Sequence, residues 1–205
     1  LLKGTPFKSV NQYYNKQIAK RRSICERMNG RHSSKRIARL TVKRNRKVED
    51  YLHKVSRKVI DLCAGQDVSV LVIGKNKGWK QEANLGRKLN QSFVQLPFAR
   101  FIQMLQYKAG SIGMKVVLTE ESYTSGTSFL DDEAPVKACY DKSRRVHRGL
   151  FLANDGQRIN ADVNGAYQIM RKVFPNVNAD GIEGVALRPA VVTLSMSARR
   201  GSGCA

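Results

Sequence analysis

The sequence predicts an α/β fold preceded by a basic helical hairpin, and three observations carry that prediction. Two long stretches, Asn11 to Met28 and Ser33 to Leu62, interleave polar and apolar residues at helical spacing. Two short β-branched runs, Val68 to Ile73 and Lys115 to Thr119, read as strands, and apolar residues at helical steps from Phe93 to Ala109 lie between them. Strand, helix and strand in that order imply a βαβ unit with a parallel sheet. The chain has 205 residues, 37 Lys+Arg against 16 Asp+Glu, a formal net charge of +21 and 41% hydrophobic residues. That apolar content supports a real core and argues against a disordered polycation. No apolar run is long enough to span a bilayer and the N-terminus lacks a signal-peptide core, so no membrane partner and a cytoplasmic location are expected.

The excess charge is concentrated in the first element. Residues 1–60 hold eighteen Lys and Arg against Glu26, Glu49 and Asp50, a surplus of fifteen. In the second helical stretch Ser33 or Ser34 can serve as N-cap, and Ile37, Leu40, Val48, Tyr51, Leu52, Val55, Val59 and Leu62 share one face. The Asn29-Gly30 pair separates the stretches, so residues 1–66 read as an αα-hairpin. A face this basic binds polyanions, with Lys43, Arg44, Arg46 and Lys47 as candidate backbone contacts. A merely solvated surface is the alternative.

After Gly65-Gln66, the consecutive apolar residues Val68 to Ile73 suggest a central strand covered on both faces. The loop Gly74 to Lys80 follows its end, where open α/β sheets bind ligands. Lys75, Lys77 and Lys80 suit a phosphate backbone, and Trp79 suits either a stacked base or packing. The next helix tolerates Pro97 in its first turn, and the second strand ends at Glu120 and Glu121, closing a core of residues 67–121. Residues 122–160 are mixed polar and read as an insertion rather than core, with a hairpin from Arg148 to Ile159 turning at Asn154-Asp155-Gly156. Residues 161–190 enter a helix whose apolar face is Val163, Ala166, Tyr167, Ile169, Met170 and Val173; residues 191–205 read as a tail.

An acid at a strand end followed by an acid at the mouth of a later helix can build a two-metal phosphodiester site, because oxygen ligands must converge from separate elements. Glu121 and Asp162 fit that topology. Asp162 equally fits simple stabilisation of a helix N-terminus. Cys25, Cys63, Cys139 and Cys204 form no Cys-x-x-Cys pair and the three histidines show no metal spacing, so unpaired thiols are expected.

Five ordered strings bear on the choice: Val10-Asn-Gln-Tyr-Tyr-Asn-Lys16, Val72-Ile-Gly-Lys-Asn-Lys-Gly-Trp-Lys80, Asn90-Gln-Ser-Phe-Val-Gln-Leu-Pro-Phe98, Glu120-Glu-Ser-Tyr-Thr-Ser125 and Asn160-Ala-Asp-Val-Asn-Gly-Ala-Tyr-Gln-Ile169. Together they resemble OrfB-type (TnpB) proteins of bacterial insertion sequences, which are similar to the RuvC half of type V CRISPR effectors. The resemblance implies an RNase H-like (RuvC-like) domain, Mg²⁺, and a guide RNA and target DNA as partners. It implies Asp162 as the last catalytic acid. Most of the family has a Glu where this chain has Gly74, and Glu121 resembles the relocated glutamate of a rearranged branch; Glu120 points to the other face by strand alternation.

The family's first catalytic Asp lies upstream of Leu2-Lys-Gly-Thr-Pro-Phe. Leu1 stands where a Met would begin a chain, so the RuvC-like domain is expected to be incomplete at its N-terminus and inactive alone. Many relatives carry a zinc ribbon, whereas residues 122–160 contain only Cys139, so no zinc is expected. The competing reading is a non-catalytic nucleic-acid-binding protein, either a transposon remnant or a structural RNA binder.

Overall fold

The structure is a computed structural model that describes residues 1–2, 4–76, 97–147, 149–179 and 189–196. Lys77, Trp79 and Lys80, the Phe93 to Leu96 part of the expected helix, Arg148 and the final residues 197–205 lie outside the described residues. The elements are α1 (Thr5–Asn29), α2 (Lys35–Ala64), β1 (Val70–Gly74), α3 (Phe98–Gly110), β2 (Lys115–Thr119), a 3-10 turn at Lys137–Cys139, β3 (Phe151–Leu152), β4 (Arg158–Ile159) and α4 (Ala161–Val173). They divide into two compact units. No described helix is long and apolar enough to cross a membrane.

The helical unit comprises residues 2–66, 83–112 and 191–205. α1 ends where Gly30 takes φ +63° and its N–H reaches Glu26 O at 2.9 Å, a left-handed cap that a side chain would strain. α2 begins at Ser34, whose hydroxyl accepts the Ile37 N–H at 3.3 Å. Phe7, Val48, Tyr51, Leu52, Val55 and Met104 form the core, with Leu2, Phe101, Leu194 and Met196 against it. Thus α3, expected between two strands as part of residues 67–121, packs on α2 as the hairpin's third helix.

The buried face of α2 also differs at its end. Val48, Leu52, Ser56 and Ile60 are buried at steps of four, and Leu62 is 44% exposed. Apolarity had favoured Val59 and Leu62, but a four-residue file drifts around the helix and brings Ile60 inward. Ser56 is tolerated in that file because Lys108 Nζ donates to its Oγ at 2.6 Å while the hydroxyl itself donates to His53 O at 3.1 Å. Burial, helped by Arg57, pushes the Lys108 pKa below the usual lysine value, and Asp61 opposes that.

The α/β unit comprises Leu1 with residues 67–82 and 113–190. β1 and β2 pair in parallel with Val72 opposite Val117 and Gly74 opposite Thr119, and the Lys75 N–H extends the ladder to Thr119 O at 2.7 Å. β1 is not the doubly covered central strand its sequence suggests. All five of its residues are half-buried, because among the described residues it has one hydrogen-bonded neighbour. β3 and β4 pair antiparallel, Phe151 opposite Ile159.

Residues 122–160, read from sequence as an insertion, bury side chains of their own. Thr127, Ser128, Phe129, Phe151 and Ile159 are fully buried there, and Phe151, Ile159 and Ala161 gather Leu130, Val163 and Tyr167 around them. α4 brings the largest reversal. The buried residues of this helix are Ala161, Asn164, Gln168 and Arg171, whereas the expected apolar face is half-buried or, at Ala166, exposed. A polar face goes inside because the packed segment offers bare backbone groups: Asn164 Oδ1 accepts the Phe129 N–H at 2.9 Å, its Nδ2 donates to Thr127 O at 2.8 Å, and Gln168 Nε2 donates to Glu133 O at 3.1 Å.

Candidate functional site

Glu121 lies two residues beyond the end of β2, beside the end of β1. Asn76 holds it at both ends: its Oδ1 accepts the Glu121 N–H at 3.0 Å and its Nδ2 donates to Glu121 Oε1 at 3.4 Å. The buried Thr124 hydroxyl donates to the Glu121 carbonyl at 2.8 Å. Gly74 explains the absence of a side chain at the strand end. A Cβ there would stand 2.9 Å from Glu121 Oε2, 3.0 Å from Glu121 Cβ and 2.8 Å from Ile169 Cδ1. Glu120, by contrast, is exposed.

Burial pushes the Glu121 carboxyl above the usual glutamate range. Its folded pKa is therefore above its unfolded one, so ionising it costs stability progressively as pH rises from the unfolded through the folded value. Without divalent metal, Glu121→Gln should melt roughly 1–3 °C higher than the parent at pH 7.5, a small effect because solvent screens a half-buried group. The difference should vanish near pH 4. Melting curves in EDTA that coincide at every pH would show that the burial is not felt.

Asp162 sits in the first turn of α4. The Asn160 side chain caps that turn, its Oδ1 accepting the Asp162 and Val163 N–H groups at 3.0 and 3.3 Å. The helix dipole favours an anion here, and Arg145 Nη2 lies 3.6 Å from Asp162 Oδ1 in a pair open to solvent. Asp162 also stands on a groove of about 310 Å³ lined by Val70 and Val72 of β1 and by Val163, Ala166 and Met170 of α4.

Glu121 and Asp162 stand on separate elements, just past the end of β2 and in the first turn of α4. A Cβ at Gly74 would meet both Glu121 and Ile169 of α4, and that helix rises about 10 Å between residues 162 and 169. Among the described residues no three His, Cys, Asp or Glu side chains are placed to share a metal ion. Carboxylate oxygens are the hard donors that Mg²⁺ prefers. Asn76, Thr124 and Arg145, which fix or neutralise the two acids, were not singled out by sequence. Only the position of Asn76, two residues past a strand, hinted at a role.

The basic candidates separate. Lys43, Arg46, Lys47 and Lys75 are exposed. Arg44 turns inward, its Nε donating to the buried Asn11 Oδ1 at 2.8 Å and its guanidinium 5.7 Å from the Tyr14 ring centroid. Charge is uneven along α2. Lys35 to Lys47 contains seven basic residues and no acid. Beyond Lys47 the helix is laced by Asp50–Lys54 at 2.8 Å and Arg57–Asp61 at 3.8 Å, while Glu49 pairs with Arg100 of α3 at 3.0 Å.

Residues 1–80 match the OrfB_IS605 family model, described as a probable transposase, and residues 98–169 match that of the Cas12f1-like TNB domain. The chain is 26% identical over 180 residues to the CRISPR-associated endodeoxyribonuclease Cas12f2 of a Micrarchaeota archaeon (strain CG1_02_47_40), an alignment covering 83% of this chain and 31% of that protein. A Cas12f1 chain from a cryo-EM structure of the Cas12f1-sgRNA-target DNA complex shares the fold with TM-score 0.53 and 20% identity, over 77% of this chain and 40% of that one. The chain thus spans about a third of the length of the curated relative it matches.

Proposed function

We propose that this chain, TnpB-like over residues 1–80 and Cas12f1-like over residues 98–169, is the downstream part of a transposon-encoded, RNA-guided DNA endonuclease with an RNase H-like (RuvC-like) catalytic domain. The observation that carries the reading is the seat of Glu121. Its carboxylate fills the space that a side chain at Gly74, the end of β1, would need. That supports Glu121 as the relocated glutamate of the catalytic set, with Asp162, in the first turn of α4, as the last acid that the resemblance implies. In the complete protein these two would hold Mg²⁺ together with an Asp upstream of Leu2. When bound, the ions would activate water and stabilise the leaving oxygen of the phosphodiester. Base pairing with a guide RNA would select the target, and the exposed Lys43, Arg46, Lys47 and Lys75 would contact backbone rather than bases.

A second reading is a protein that binds nucleic acid without cutting it, and the run of seven basic residues and no acid from Lys35 to Lys47 needs no catalytic site to serve it. The test uses full-length protein containing the segment upstream of Leu1, loaded with RNA from its own element. Mg²⁺-dependent DNA cleavage is expected, and Asp162→Ala should reduce it below detection while leaving RNA affinity within about threefold. Wild-type protein that binds RNA and DNA but leaves the DNA uncut would establish the second reading.

A further inference from the structure

The segment between β2 and α4 carries three consecutive acids, Asp131, Asp132 and Glu133, and each meets an arginine. Asp131 and Glu133 flank Arg144, whose Nη2 donates to Asp131 Oδ2 and whose Nη1 donates to Glu133 Oε1 at 2.6 Å. Its Nε donates to Leu152 O at 3.1 Å, and the guanidinium lies 5.2 Å from the Phe151 ring centroid. The carboxylates are tied down in turn. Asp131 accepts the Asn154 N–H at 3.0 Å, and Glu133 Oε2 accepts the Ser128 N–H at 2.7 Å. The side chains of Arg144, Asp131 and Glu133 are only 12, 15 and 19% exposed. Burial acts to lower the Arg144 pKa, but the hydrogen bonds and charges of Glu133 and Asp131 outweigh it and leave the pKa raised.

One side chain thereby joins three stretches of chain: 128–133, 144 and 151–154. A tetrahedral zinc does the same topological task in a ribbon, linking loops too small to bury a core of their own. The residues here do not fit that metal. Residues 122–160 contain one cysteine, Cys139, and the acids Asp131 and Glu133 gathered between the joined stretches face a guanidinium. With Arg144 anchored inward, the next side chain, Arg145, emerges at the surface against Asp162.

We propose that Arg144, clamped by Asp131 and Glu133, is the metal-free crosslink of this segment and a positioning residue that holds Arg145 at Asp162. The significance of Asp162 rests on the proposed function; the crosslink does not. The test therefore avoids cleavage altogether. In the 205-residue chain, EDTA or added Zn²⁺ should leave the melting temperature unchanged within about 1 °C, whereas Arg144→Met should lower it by roughly 6–12 °C. In ¹⁵N-arginine spectra, Asp162→Asn marks the position of a released Arg145, and Arg144→Met should move the Arg145 signal there. Should Arg144→Met fail to fold, Arg144→Lys keeps the charge and one carboxylate contact and serves the same comparison. Unfolding of the parent by EDTA, an Arg144→Met variant as stable as the parent, or an Arg145 signal unmoved by either variant would overturn the proposal.

Discussion

On the proposed nuclease reading, replacing Gly74 by Ala should abolish most of the DNA cleavage expected of the complete protein while leaving its RNA affinity within about threefold. The added methyl would stand 2.8–3.0 Å from Ile169 Cδ1 and from Glu121 Oε2 and Cβ, closer than real Cβ contacts allow. Gly74 cannot retreat easily, because it is registered opposite Thr119 and the next N–H is bonded to Thr119 O at 2.7 Å. The side-chain ends that must give are Ile169 Cδ1 and the Glu121 carboxylate. A displacement of about 1 Å at a reacting centre costs about 100-fold in rate, so at least that loss in kcat is expected, with KM little changed. A paired exchange sharpens the test. Gly74→Glu and Glu121→Gly should each be inactive, and the double variant should recover measurable cleavage by returning one carboxylate to the same space. A double variant as dead as either single one would show that the space is shared sterically but not functionally.

The second large effect is expected at Arg171. Its side chain is 6% exposed, its Nη2 donates to Asp132 Oδ1 at 2.6 Å and also reaches Phe129 O and Val177 O at 3.3 and 2.9 Å, while Nε donates to Val177 O at 3.0 Å and Nη1 to Glu133 O at 3.1 Å. The guanidinium also lies 4.1 Å from the Phe129 ring centroid, and that ring stacks on Tyr167 at 4.7 Å. Arg171→Met fills a similar volume, and because Glu133 O keeps Gln168 Nε2 and Phe129 O keeps the Asp132 N–H, the loss falls mainly on Val177 O and on the hydrogen bond to Asp132. Each such group costs about 1–3 kcal/mol, so a total near 3 kcal/mol is expected after partial rehydration. Urea unfolding of the 205-residue chain measures it. A loss under about 1 kcal/mol would mean that water replaces the guanidinium.

The helices and the parallel strand pair were legible because period and β-branching act locally: α1, α2, β1 and β2 coincide with their sequence signals to within a few residues at most ends, α1 alone starting six residues earlier. The buried face of α4 was not legible. Hydrophobic periodicity weighs side chains against solvent, and it has no way to register that Asn164, Gln168 and Arg171 face backbone groups of a distant segment. The same limit hid the core of residues 122–160, where buried Thr127 and Ser128 sit beside Phe129. Of the candidate site, the resemblance supplied Glu121 and Asp162, and strand alternation favoured Glu121 over Glu120. What no pattern could supply was the steric relation between Gly74 and Glu121, which depends on the parallel register.

The uneven charge along α2 has a consequence for how a polyanion arrives. Its first thirteen residues carry seven basic side chains and no acid, and its later turns are locally neutralised by Asp50, Asp61 and Glu49. The hairpin is therefore a vector rather than a uniform magnet. A strand drawn in by long-range attraction meets a field that weakens along the helix axis, and the encounter acquires a direction before any short-range contact forms. Raising salt should erase that orientation sooner than it erases binding, since the far end of the gradient lies beyond a Debye length of about 8 Å at physiological ionic strength.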